Sequence, residues 1–118
     1  LELLAKEAAA SGKDAILAVV ERYREAYQNK DLERLKALRP GLTRNELKKL
    51  EETFRFARQI RMDLEAAGEP KIDGDSATLR SQMTIQLRDE RGMNPPARAD
   101  VVIKLRRSAD GWLIDSIQ

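Results

Sequence analysis

The stretch ATLRSQMTIQLR, residues 77–88, alternates small or apolar side chains with polar ones from end to end. Ala77, Leu79, Ser81, Met83, Ile85 and Leu87 fall on one side of an extended chain. Thr78, Arg80, Gln82, Thr84, Gln86 and Arg88 fall on the other. A period of two sustained over that length selects a strand, because a helix would scatter both sets around its axis. One apolar and one polar face describe an antiparallel sheet covered on a single side, not a parallel sheet buried on both. The rest of the chain has to supply the cover.

Upstream, the period is helical. Ser11-Gly12-Lys13-Asp14 fits a helix start, and Ile16, Val20, Tyr23 and Tyr27 then share one stripe, with an end expected near Asn29. Asp31 can cap a short second helix with Leu32, Leu35 and Leu38 on one face, ended by Pro40-Gly41. Thr43 and Glu46 form a capping-box pattern that opens a third helix, with Leu47, Leu50, Phe54 and Ala57 expected inward. From Gln59 onward alternation takes over. QIRMDLEA sets Ile60, Met62, Leu64 and Ala66 on one side, ARADVVIKLRR does the same with Ala97, Ala99, Val101, Ile103 and Leu105, and WLIDSIQ is a last strand. Asp73-Gly74 and Asp110-Gly111 are tight-turn signals, and DERGMNPP is a longer loop. The expected architecture is α+β: three N-terminal helices packed on one face of a curved antiparallel sheet of about four strands. Residues 13–118 are read as one domain, with 1–12 as an extension or linker.

Composition narrows the chemistry. The 118 residues suit a single core, and 36% charged with 42% hydrophobic residues is an ordinary globular balance. A net charge of +2 from 22 basic and 20 acidic side chains, with neither half markedly basic, gives no footprint for nucleic acid. Five aromatics, Tyr23, Tyr27, Phe54, Phe56 and Trp112, are too few to interleave with the cations as stacking platforms. The chain has no Cys, which removes disulfides, thiol nucleophiles and zinc-thiolate sites, and no His, which removes the commonest general base and transition-metal ligand. Asp73-Gly74-Asp75 lacks the rest of a calcium loop, so no metal or other cofactor is expected. No apolar run reaches the ~18 residues of a membrane span, so no membrane contact is expected within this segment. LELLAKEAAASG has no basic leader pattern, and the first residue is not Met, so the expectation is a piece of a longer protein.

The order of helix, short helix, helix and long strands ending in GWLIDSI resembles the nuclear-transport-factor-2-like superfamily, which includes SnoaL-like proteins and ketosteroid isomerases. The resemblance covers residues 13–118. VVERYREAYQNKDLERLKAL is similar to that group's opening, and ALRPGL with IDGDSATLR resembles bacterial accessory domains at the C-terminus of larger proteins, protein kinases among them. It implies a cone-shaped, cystatin-like fold with a pocket between helices and sheet, and a bacterial protein whose compartment is open, the cytoplasm being the default. In ketosteroid isomerases a Tyr on the first helix stabilises a developing oxyanion, and Tyr23 is the matching position. The isomerase also needs a carboxylate base after its second helix and a protonated acid on a late strand. The first region corresponds to PGLTRNE, which reads as a helix start, and the second falls near Ile103.

Tyr23 and Tyr27 are therefore expected to pack or to line the pocket, with no catalytic residue assigned. Phe54, Met62, Met83, Ile103 and Trp112 complete the expected lining of a mostly filled apolar cone. The leading functional expectation is a non-enzymatic module for small apolar ligands or protein assembly. The alternative is a small lyase or isomerase of the ketosteroid-isomerase type. On the outer face Arg80, Arg88, Arg98, Lys104 and Arg106 read as solvated, while Val102, Leu113 and Ile117 alternate away from the Ile103 and Ile114 stripes and suggest a homodimer through the sheet.

Overall fold

The computed structural model describes residues 2–109 and 111–118, with side chains from Gly12 onward. Three helices come first: α1 (Glu2–Gln28), α2 (Leu32–Leu38) and α3 (Arg44–Phe56). Six strands follow: β1 (Gln59–Ala66), β2 (Lys71–Asp73), β3 (Ser76–Asp89), β4 (Gly92–Met93), β5 (Ala97–Ser108) and β6 (Gly111–Ile117). They form one antiparallel sheet of order β1-β3-β5-β6, with β2 and β4 also pairing to β3. The four expected strands are present. The two additions are short arms of the turns around Gly74 and Arg91.

Helix boundaries follow local chemistry at all but one end. α1 begins at Glu2 and not near Ser11. Ala5, Lys6, Glu7 and the three alanines after them have high helix propensity, which outweighs the capping signal at Ser11. Its C-terminus is a Schellman motif, in which the Asp31 N–H donates to the Ala26 carbonyl at 2.8 Å and the Lys30 N–H to the Tyr27 carbonyl at 3.1 Å. The left-handed residue is Lys30, at φ 58°, where glycine is usual. The Lys30 ammonium also donates to the Ala57 carbonyl, tying the end of α1 to the exit of α3.

Asp31 caps α2 by accepting from the Arg34 N–H at 3.1 Å. The capping box of α3 is complete: Thr43 Oγ1 accepts from the Glu46 N–H at 3.2 Å, and Glu46 Oε1 accepts from the Thr43 N–H and hydroxyl at 3.4 and 3.0 Å. Asp110, half of the second turn signal, lies outside the described residues.

The core fills one end of the concave sheet face. Ile16, Val20 and Leu35 from the helices meet Leu79, Ile103, Leu105 and Ile114 from the strands, all buried. Ser81 is buried in the same layer, and its hydroxyl has no hydrogen-bond partner among the described residues. The edge strand β1 is covered by α1, whose Gln28 accepts from the Met62 N–H at 3.3 Å while Arg24 donates to the Met62 carbonyl at 3.3 Å. No helix is long and apolar enough to cross a membrane among the described residues.

One register differs from simple alternation. β6 pairs Ile117 with Ile103 and Ser116 with Lys104, but Ile114 with Leu105, so Asp115 is an extra residue in a β-bulge. The bulge turns Ile117 back to the concave side, where it packs against the core. Ile117 is therefore not an outer-face residue. Val102 and Leu113 keep the outward positions expected of them, each half-exposed.

Two stability outcomes follow. Ile103 is fully buried, so Ile103→Ala should cost about 2–5 kcal/mol in denaturant unfolding, and a loss below about half a kcal/mol would mean that the core is not built on this register. The Glu46 carboxyl is held below its ordinary value, chiefly by the Thr43 hydroxyl and backbone N–H, with smaller help from Arg39 and Lys49. A carboxyl whose folded pKa is depressed adds stability that is present above its unfolded value and lost as pH falls through the folded one. Glu46→Ala should thus destabilise more at about pH 7 than at about pH 3. Equal losses in unfolding midpoints at both pH values would rule the ionised carboxylate out as the source.

Candidate functional site

The helices do not close over the sheet evenly. α3 contributes no fully buried side chain, although Leu50 and Phe54 pack against the core as expected. Its inner face stands over a cavity of about 300 Å3 between α3, α1 and the half of β3 beyond Ser81. The expectation of a mostly filled cone holds at the Ile103 end and fails here. Tyr27, Leu42, Leu50, Met62, Met83, Ile85 and Ile117 give the cavity its apolar surface. Tyr23, Arg39, Glu46, Lys49 and Thr53 give it polar groups along one side.

The expected lining residues thus divide. Tyr23, Tyr27, Met62 and Met83 border the cavity. Phe54 stands behind them, edge-on to Tyr27 with ring centroids 5.4 Å apart at 86°, and holds that ring in place. Ile103 is sealed in the core, and Trp112 is buried away from the cavity beneath the Arg107 guanidinium, 4.9 Å above its ring. Ile117, expected on the opposite face, borders the cavity because of the bulge.

The polar groups form a chain. Arg39 donates from Nη2 to Glu46 Oε2 at 3.2 Å, and its guanidinium is near enough to the Tyr23 phenol to lower that group's pKa. Burial pushes the Tyr23 phenol above its usual pKa, against a lowering by Arg39, and burial likewise raises Tyr27. Both rings are neutral donors at neutral pH. Glu46 is the reverse: ionised, with Oε1 accepting two bonds from Thr43 and Oε2 accepting from Arg39, it is a weak base with most of its lone pairs engaged.

Arg39, Glu46 and Lys49 were not among the residues marked from sequence. Arg39 precedes Pro40 and reads as a helix stop, and Glu46 reads wholly as a cap. The available signal was the spacing of Glu46, Leu50 and Thr53 by four and three, which sets the cap carboxylate on the same helical stripe as the apolar lining.

A larger hollow of about 890 Å3, like the first open to solvent, lies between the end of α3 and the β3–β4 turn. Arg55, Arg58 and Arg91 alternate there with Glu52, Asp89 and Glu90 around Phe56, which is 63% exposed. Among the described residues no cluster of three carboxylates or other metal ligands is close enough to hold a metal ion.

Compared with known proteins, the chain matches no family model and no curated protein. Solved structures do match. A conserved protein from Planctomyces limnophilus superposes with a TM-score of 0.78 at 20% identity, covering 92% of this chain and 94% of its own. A nuclear-transport-factor-2-like protein with a cystatin-like fold from Novosphingobium aromaticivorans gives 0.76 at 16%, covering 98% and 84%. A ketosteroid isomerase-like protein from Erwinia carotovora atroseptica gives 0.69 at 21%, covering 89% and 92%. At these identities the shared property is the fold. Three helices laid over the concave side of a curled antiparallel sheet, with a cavity left beneath the third, give this chain the nuclear-transport-factor-2-like, cystatin-like fold.

Proposed function

We propose that this domain is a non-enzymatic binding module that takes a small, largely apolar ligand in the cavity under α3, as part of a larger bacterial protein. The observation that carries the reading is the unfilled inner face of α3. An amphipathic helix that seals a core buries its apolar stripe, whereas no side chain of α3 is fully buried and Leu50 borders open space. A cavity of about 300 Å3 with an apolar wall and a few convergent polar groups is the usual form of a small-ligand site. The accessory role is supported by the likeness of ALRPGL and IDGDSATLR to domains appended to longer chains.

The second reading, a lyase or isomerase, draws on one observation: the neutral Tyr23 phenol backed by Arg39 could stabilise an oxyanion. It lacks a free base, because Glu46 is committed to Thr43 and Arg39. A homodimer through the outer face of the sheet rests on Val102 and Leu113 alone, since Ile117 faces the cavity.

Ligand-observed NMR with a panel of compounds of about ten non-hydrogen atoms should detect binding to the wild type. Binding should be lost in a folded Leu50→Trp variant that fills the space. No binding across the panel would reject the module reading. Assayed on a ketosteroid, wild type and Tyr23→Phe should both show negligible turnover, and a measurable rate that collapses in Tyr23→Phe would install the enzyme in its place. Light scattering behind a sizing column should give a two-chain mass that Val102→Asp with Leu113→Asp reduces to one. A one-chain wild-type mass at high concentration excludes the dimer.

A further inference from the structure

We infer that the ligand is an apolar monocarboxylate, its acid group held by Arg39, Lys49 and the Tyr23 hydroxyl and its tail laid against Tyr27, Met62, Met83 and Ile85. The inference rests on reading the cavity as a ligand site and concerns what that site selects.

Charge gives the sign. Two cations, Arg39 and Lys49, and one carboxylate, Glu46, border the cavity, leaving an excess of one positive charge beside an apolar wall. Glu46 is matched within the protein, since its Oε1 accepts from Thr43 and its Oε2 from Arg39. Arg39 is not matched in the same way. A guanidinium carries five N–H donors in a fixed fork, and the contact to Glu46 leaves others for a second acceptor. Its side chain is only 15% exposed, so those donors lie where water is restricted and a planar anion is the strongest available partner.

The neighbouring groups agree. Lys49, exposed on α3 at the rim, adds a point charge without fixing orientation. Tyr23 borders the cavity together with Arg39, and its phenol O–H can donate toward the same anion. A cationic ligand would meet Arg39 and Lys49 before Glu46. A neutral ligand would leave the remaining Arg39 donors without an ionic partner.

Size sets the class. At about 30 Å3 per non-hydrogen atom, the share of a molecule in liquid water, the cavity has room for on the order of ten such atoms. A medium-chain fatty acid or an aryl-substituted short acid has that volume. A dicarboxylate of equal size would bring its second charge against Met62, Met83 and Ile85, with no cation opposite it among the lining residues.

The test compares octanoate with octanamide, which share a tail and the same number of non-hydrogen atoms, by calorimetric titration of the wild-type protein near neutral pH. Octanoate should bind about tenfold tighter or more, as expected when a charge-assisted contact replaces a neutral one. Arg39→Gln should bring the two affinities to within about twofold of each other. Should Arg39→Gln fail to fold, Lys49→Gln serves in its place, with the ratio falling several-fold as the expected result. Equal affinity for acid and amide on wild type would overturn the carboxylate inference and leave the apolar site intact. Binding of neither compound would remove the site and the inference together. A preference that persists unchanged in Arg39→Gln, or in Lys49→Gln where that variant stands in, would also overturn the assignment.

Discussion

Every strand except β6 is hydrogen-bonded to β3, and the domain depends on that one ladder. β1 and β2 lie along one side of it, pairing with residues 81–88 and 76–78, while β4 and β5 lie along the other. A strand of fourteen residues runs about 46 Å, longer than one helix layer of a small domain can cover evenly. Its first half, Ala77 to Ser81, is buried on the inner side against Val101, Ile103 and Leu105. Its second half, Met83 to Leu87, is only half-covered, opposite Ala97 and Ala99, which take little volume. The filled and open parts of the cone are thus two ends of one strand.

The division explains what the sequence could and could not reveal. Alternation in residues 77–88 and the caps at Asp31 and Thr43 are local signals, written in neighbouring residues, and the structure realises them where they stand. Ile117 was misplaced because a bulge depends on how two strands settle against each other, and nothing in WLIDSIQ marks Asp115 as the extra residue. The start of α1 was misplaced because a cap pattern at Ser11 competes with an Ala-rich run before it. Arg39 and Glu46 were missed for a further reason: each has a complete local explanation, as a helix stop and as a cap, which hides a second role visible only once α2, α3 and Tyr23 come together.

Tyr23 and Tyr27 illustrate how one residue type takes two parts. Their ring centroids are 6.3 Å apart on the same helical stripe. Tyr27 is fixed by Phe54 beside the cavity, whereas Tyr23, deeper and 4% exposed, borders it together with Arg39. The packing role and the polar role coexist because burial keeps both phenols neutral.

The loose seating of α3 has a dynamic side. The helix is anchored at its start by the capping box and the Arg39–Glu46 pair, and at its end by the Lys30 contact to Ala57, which is itself buried. Between those two points no side chain is fully buried, and Leu50 and Phe54 pack only partly against the core, so less apolar surface holds this helix than holds α1 with its buried Ile16, Val19, Val20 and Tyr23. Segments with few buried apolar contacts open locally at lower free energy than the core does, which puts α3 ahead of the β3 ladder and the Ile103 layer in the order of opening. A ligand under α3 would thus meet a wall fixed at its two ends and half-packed between them, where the Ile103 layer offers a sealed one.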